Sequence, residues 1–506
     1  MATEIISQLD CVRRTVSKNH QRHERSEIGQ FLTPSPIAHF MAGLFQQDAA
    51  EARILDAGAG AGVLSAAAVE TLISRKGRLR SLEVVAYESD ELVLPYLKSA
   101  LDSCKTVCAR EGITFHGEAQ PNDFISGGIS EAEHALFAGE TKRFTHAILN
   151  PPYKKINAHS QTRRLLDAAG IEVSNLYAAF VWLAARMLEP GGELVAITPR
   201  SFCNGPYFRR FRLALLDMMA LQRLHVFESR KKAFRDDGVL QENVILHAVR
   251  TERKPKQVMI SSSEGSDFHK VSLRRVPYED VVLPRDRDAF IHLVLSDEDV
   301  GVMQRMQRFE ATLGELDIEV STGRVVDFRA REHLRLQPAG GTAPLVYPCH
   351  FERGFIRWPA ESQKKPNAIV ASEQTCNLLV PAGHYVLTKR FSAKEERRRV
   401  VAAVYDPQRV QSPFVGFENH LNYFHSRGKG LSANLAEGLA VYLNSTLFDR
   451  YFRLFSGHTQ VNATDLRKMR YPTCAQLVRL SACVNNCIPD QQEIDAILEK
   501  VCKTDG

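Results

Sequence analysis

The run Ile54-Leu55-Asp56-Ala57-Gly58-Ala59-Gly60-Ala61-Gly62 constrains this chain more than any other segment. Residues 53–57 read as a short apolar strand and 63–73 as a helix, which places the glycines in a strand-to-helix turn. Glycine lets the backbone turn tightly there and lets a ligand approach where a Cβ would collide. The helix that follows offers free N–H groups at its start. Such a unit belongs to a parallel sheet covered by helices, and the neighbouring sequence keeps up the alternation. Residues 83–87, 113–116, 145–149 and 193–198 read as further strands, with helices at 91–109 and 176–188. Residues 222–227 and 243–249 close the domain as a strand pair. The loop lacks the lysine of a phosphate-binding P-loop, so taken alone it fits any other nucleotide-binding unit.

Beyond residue 255 the alternation is lost. A charged stretch at 251–256 and a serine-rich one at 261–266 mark a boundary. From 275 onward there are strand-like pieces at 345–347, 384–387 and 400–404, and helical sequence at 435–448 and 491–501. With 506 residues the chain is too long for one core. The expected division is an α/β domain over residues 1–255 and a less regular α+β domain over 275–506. No stretch reaches the ~18 apolar residues of a membrane helix. The N-terminal residues, with Arg13, Arg14, Lys18 and Arg22, lack the apolar core of a signal peptide. A cytoplasmic location is expected, with Cys104, Cys108, Cys483 and Cys487 as reduced thiols, since neither i, i+4 pair has zinc-finger partners. The net charge of +6 permits a polyanionic partner without requiring one.

Two further positions carry chemistry. Glu88 ends the strand 83–87, where an acidic side chain is placed to accept hydrogen bonds from ribose hydroxyls. Asn150-Pro151-Pro152-Tyr153 directly follows the apolar strand at 145–149, and so falls at the ligand edge of the sheet. The prolines stiffen that loop and remove donors, leaving carbonyls to accept. An aryl amine is a poor nucleophile because its lone pair is delocalised into the ring. Asn150 Oδ1 and the Pro151 carbonyl can accept from such an amine and draw its nitrogen towards tetrahedral geometry, while Tyr153 offers a face for stacking.

Asn-Pro-Pro-Tyr after the fourth strand, with Asp56 to Gly62 before it, resembles the amino-group methyltransferases that use S-adenosylmethionine. The segment Gly29-Gln30-Phe31-Leu32-Thr33-Pro34 is similar to the N-terminal cofactor motif of the γ-class N6-adenine DNA methyltransferases of type II restriction-modification systems. The order of motif, cofactor domain and C-terminal half is also theirs. Within that class, Leu387-Thr388-Lys389-Arg390-Phe391 and Lys394-Glu395-Glu396-Arg397-Arg398-Arg399 resemble the PstI/BsuBI modification methylases, which protect CTGCAG. The resemblance implies a Rossmann-like methyltransferase domain with a mixed seven-stranded sheet and a C-terminal α+β DNA-recognition domain. It implies that Phe31, Thr33 and Pro34 line the methionine end of S-adenosylmethionine. Asp56, Gly58 and Gly60 then flank its amino-acid part, Glu88 holds the ribose, and Asp123 and Phe124 contact its adenine. Catalysis falls to Asn150, Pro151, Pro152 and Tyr153, with no metal. A second aromatic against the flipped base is either Phe234 or its neighbour Leu240 takes that place.

The implied partner is double-stranded DNA, with the cognate restriction endonuclease as a separate protein. Lys389, Arg390, Lys394, Arg397, Arg398 and Arg399 are candidate DNA contacts, alongside basic–aromatic runs at 324–331, 353–358 and 450–453 and a polar loop at 457–462. An RNA adenine methylase, a protein glutamine methylase and a non-catalytic specificity subunit are the rival readings.

Overall fold

The computed structural model describes residues 33–75, 78–138, 143–227, 242–284, 286–360, 365–392, 396–455 and 460–503. They divide into two compact units, the first ending at Leu295 and the second starting at Ser296. No helix among the described residues is long and apolar enough to cross a membrane.

In the first unit nine strands form one sheet: β1 (Glu51–Ala57), β2 (Ser81–Tyr87), β3 (Thr114–Gln120), β4 (Phe144–Leu149), β5 (Leu188–Pro199), β6 (Met219–Phe227), β7 (Asn243–Arg250), β8 (Gln257–Ser263) and β9 (Ser272–Pro277). Their order is β3-β2-β1-β4-β5-β7-β6-β8-β9. The strands β3-β2-β1-β4-β5 are parallel, and β7 runs antiparallel between β5 and β6. Helices α1 (Ser35–Ala42), α2 (Val63–Ser74) and α3 (Leu94–Arg110) cover one face. Their Ile37, Met41, Leu64, Ala67 and Leu97 pack on Ile54, Val84, Ile148, Val195 and Ile245 of the strands. The alternate strand residues meet the other layer: α4 (Phe124–Ala138), α5 (Gln161–Ala168), α6 (Leu176–Met187) and α7 (Arg209–Met218). There α6 lies against β1, β4 and β5. Burial on both faces explains why the inner strands β1, β2, β4, β5 and β7 read as apolar runs, whereas the edge strands β3 and β9 are polar and largely exposed.

Seven strands were expected and nine are present, because β8 and β9 extend the sheet past β6. The serine-rich stretch taken for a boundary is part of β8, and Ser261, Ser262 and Ser263 are all buried. Buried hydroxyls need partners, and a histidine on β6 supplies those of Ser261 and Ser263. His225 Nδ1 and Nε2 each lie 3.0 Å from a serine Oγ, that of Ser261 and that of Ser263 respectively. Since Ser263 Oγ already donates to Gly265 O (2.7 Å), His225 Nε2 must be the donor to it and Nδ1 the acceptor from Ser261. The domain boundary accordingly lies at residues 295/296, not between 255 and 275.

The second unit holds a six-stranded and a five-stranded sheet. Tyr385–Lys389 lies inside the larger one, between Ala402–Tyr405 and Leu421–His425. Helices Ala433–Leu443, Thr446–Phe455 and Gln491–Lys503 accompany them.

Candidate active site and DNA-contact residues

The parallel order reverses direction between β1 and β4, and loops that leave the two strands at such a point diverge to open a crevice. The glycine loop leaves β1 there and Asn150-Pro151-Pro152-Tyr153 leaves β4. At Gly58, φ is +79°, a conformation glycine adopts without strain. A Cβ there would lie 3.6 Å from Phe180 Cε1 and 4.0 Å from Asn150 O, so the two loops line one space.

Asp56 is wholly buried at the end of β1. Its Oδ2 accepts from the Ser65 N–H (3.0 Å) and hydroxyl (2.6 Å), while Oδ1 has no partner. Burial pushes its carboxyl up to about 7, against the pull of the Ser65 bonds. Glu88, at the end of β2, is also raised by burial, and its Oε2 accepts from the Gly60 N–H (2.8 Å) and Oε1 from that of Asp90 (2.8 Å). Glu88 thus pins the glycine loop to the second strand. Two buried carboxylates, one with an orphaned oxygen, fit a ligand that brings positive charge and hydroxyl donors. S-adenosylmethionine carries a sulfonium, an ammonium and a ribose.

Asn150 is buried at the end of β4. Its Nδ2 donates to Thr33 Oγ1 (3.0 Å), and its Oδ1 accepts from the Tyr153 hydroxyl (3.1 Å), which also reaches Ile197 O (3.3 Å). The amide is therefore oriented from both ends, and the residue before Pro34 is tied to the β4 loop across 117 positions. Burial drives the Tyr153 hydroxyl far above its ordinary range, so it stays a donor at any working pH. The Tyr153 ring packs edge-on to Tyr177, 6.2 Å away.

Phe124 is buried between Tyr87 (5.1 Å) and Phe180 (5.0 Å), whereas Asp123 is exposed and caps the start of α4 through Ser126 N–H (3.0 Å). Pro34 stands at the cap of α1. Phe31, Phe234, Leu240 and Lys394 lie outside the described residues. Sequence reasoning missed Ser65, Phe180 and Tyr177. The aromatics sit in an apolar helix whose pattern signals core packing and nothing more, and the serine's partner is nine residues away.

The candidate DNA contacts separate. Arg397 is exposed, but Arg398 points back to Asn444 Oδ1 (3.4 Å) and Arg399 is only 2% exposed, with its N–H on Asp449 (2.7 Å). Arg399 is thus corrected from a DNA contact to a buried residue. It precedes a strand, and its side chain faces inward. Lys389 lies over the Phe351 ring (5.5 Å), and Arg390 braces Asn419 O (3.2 Å).

The sheet order, the glycine loop with its paired carboxylates, and Asn-Pro-Pro-Tyr at the switch point define an S-adenosylmethionine-dependent methyltransferase. Residues 101–234 match the family described as Eco57I restriction-modification methylase. The chain is 44% identical to the type II methyltransferase M.PstI of Providencia stuartii, over 97% of this chain and 96% of the relative. It is 46% identical to the type II methyltransferase M.BsuBI of Bacillus subtilis, over 99% of each. Among solved structures, the type IIL restriction-modification enzyme MmeI in complex with DNA superposes with a TM-score of 0.54 at 10% identity. That match covers 99% of this chain and 73% of the other, and is a likeness of fold. The chain belongs to the family of type II restriction-modification DNA methyltransferases that contains M.PstI and M.BsuBI.

Proposed function

We propose that this chain methylates N6 of adenine in duplex DNA at one short sequence, CTGCAG, and so protects it from a cognate endonuclease carried on a separate protein. The observation that supports this most is the doubly anchored Asn150 amide: with Nδ2 held by Thr33, its Oδ1 is a fixed acceptor at the mouth of β4. A carbonyl oxygen has two lone pairs, so Oδ1 can take the Tyr153 hydroxyl and still accept from an exocyclic amine. The Pro151 carbonyl is the second acceptor. Together they localise the amine's lone pair and hold its protons until one passes to water.

Adenine N6 is paired inside the duplex, so the nucleotide leaves the stack at a cost of a few kcal/mol. Stacking on Tyr153 and hydrogen bonds to the base offset that cost. Bound S-adenosylmethionine supplies the electrophilic methyl group, and the chain's contribution is chiefly positioning. Asp56 and Glu88 hold the cofactor's charged and ribose ends, with Phe124 against its adenine, Asp123 on that ring's amino group, and Thr33 and Pro34 at its methionine end. The second unit reads the sequence.

The test is sequencing for modified adenine in DNA from a methylation-free host that expresses the chain. N6-methyladenine confined to CTGCAG supports the proposal. A different motif would overturn the site, and no modified adenine from well-expressed protein would overturn the reaction.

A further inference from the structure

Two segments far apart in sequence meet on the turn 417–421 of the second unit, and a third ties onto one of them. The Gly323 and Val325 N–H groups donate to Leu421 O (2.8 Å) and Phe417 O (3.0 Å), and Asn419 N–H returns to Val325 O (2.9 Å). Arg390 N–H donates to His420 O (2.8 Å), and Val461 N–H to Arg390 O (2.7 Å). Only glycine fits at 323, because a Cβ there would lie 2.1 Å from Glu418 O.

At the tip of this turn stands an unusual pair. Glu418 is fully buried, and its carboxylate accepts from the His420 N–H (2.9 Å) and from the His420 ring Nδ1. The imidazole itself is 47% exposed, and it packs on Phe391 at 4.8 Å between ring centroids. Burying a carboxylate is costly, and a neutral side chain would brace a turn at lower cost. What the carboxylate does provide is a fixed imidazole: Nδ1 is engaged inward on Glu418, which leaves Nε2 as the ring nitrogen directed away from it.

The surroundings suit a polyanion. Arg324, Arg329 and Arg331 are exposed on the adjoining segment, and Phe328 is 77% exposed between them. That aromatic is not on a loose loop. Arg329 and Ala330 N–H groups both close on Val326 O (2.9 and 3.0 Å), and Asp327 accepts from the Tyr347 hydroxyl (2.8 Å). Phe328 therefore presents a fixed aromatic face to solvent among arginines, a combination that suits the stacked and charged surface of a nucleic acid.

Resting on the function proposed above, we propose that this corner is a sequence-reading element for duplex DNA: His420 meets a base edge with its Nε2, Phe391 and Phe328 pack against the grooved surface, and Arg329 and Arg331 neutralise phosphates. Phosphate contacts position a protein on DNA, while base contacts specify the sequence. The two groups of residues therefore have separable signatures.

The test uses the full chain and the ratio of methylation at its own motif to that at motifs changed by one base pair. His420→Ala, and the double variant Glu418→Gln/His420→Ala that leaves no stranded buried charge, should lower that ratio about ten- to hundredfold. Both should leave the slope of log affinity against log salt as it was. Arg329→Ala and Arg331→Ala should each reduce that slope by about one. A double variant with a wild-type unfolding midpoint and an unchanged ratio would overturn this assignment alone. Failure of the wild type to methylate any motif would sink the function it rests on as well.

Discussion

Thr33→Val removes one hydroxyl and keeps the shape of the side chain, which makes it the sharpest probe of the Asn150 anchor. Both residues are buried, and the Nδ2 to Oγ1 distance is 3.0 Å. With valine, Nδ2 has no acceptor from residue 33, and a buried donor left unsatisfied costs about 1–3 kcal/mol. The amide can escape that cost by rotating, but rotation takes Oδ1 away from the target amine. An amide that stays put costs stability alone, whereas one that rotates must be turned back for transfer, and that cost falls on the transition state. At about 1.4 kcal/mol per decade, kcat should drop roughly 5- to 150-fold. Thr33→Ser keeps the hydroxyl and should stay within about threefold of wild type. Single-turnover transfer of labelled methyl to a duplex, with cofactor affinity measured separately by calorimetry, separates the outcomes. Wild-type turnover in the valine variant would refute the anchoring argument. A fall in cofactor affinity with turnover intact would show that Thr33 serves the cofactor and leaves Asn150 free.

Asn150→Ala should abolish transfer while cofactor binding, read by calorimetry, persists. Asp56→Asn should weaken cofactor binding and yet raise the unfolding midpoint at pH 8. The native carboxyl holds its proton up to about 7 against 3.8 ordinarily, so the wild type loses stability as pH rises through that window and an amide does not. Burial lowers His146 to about 4, His225 to about 3 and His292 to about 4. Their unfolded forms take protons below ~6.5, so stability should fall from pH 6.5 towards pH 4, and denaturant titrations at pH 7.5 and 5 read it. Arg399→Ala should cost about 2 kcal/mol of stability by emptying a buried site, whereas Arg397→Ala should only flatten the salt dependence of DNA binding.

The inner strands β1, β2, β4, β5 and β7 were legible because each carries an apolar run closed by turn residues, and the glycine loop and Asn150 follow two of them directly. β8 was not, since Ser261, Ser262 and Ser263 look like a solvated linker until His225 is placed beside them. Composition reports polarity, but burial depends on whether a partner arrives from elsewhere in the chain. The arginine run at 397–399 failed for the converse reason. The three arginines lie in a bend ahead of the strand Ala402–Tyr405, where Arg397 stays exposed and Arg399 is buried.

The Thr33–Asn150 bond shows where motif reading ends. Both residues were singled out, one for the cofactor's methionine end and one for the target amine, and nothing in their spacing tied them together. Yet the bond makes them one device: the segment ahead of α1 cannot shift without releasing the Asn150 amide, the group proposed to meet the target amine. An acceptor set this way needs no reorganisation when the amine arrives, which is the condition under which fixed dipoles contribute most to a reaction. The Glu418–His420 pair repeats the principle on a different surface, with a buried group spent on aiming an exposed one. In both places it is the contact between two side chains, and not either residue alone, that became visible only in three dimensions.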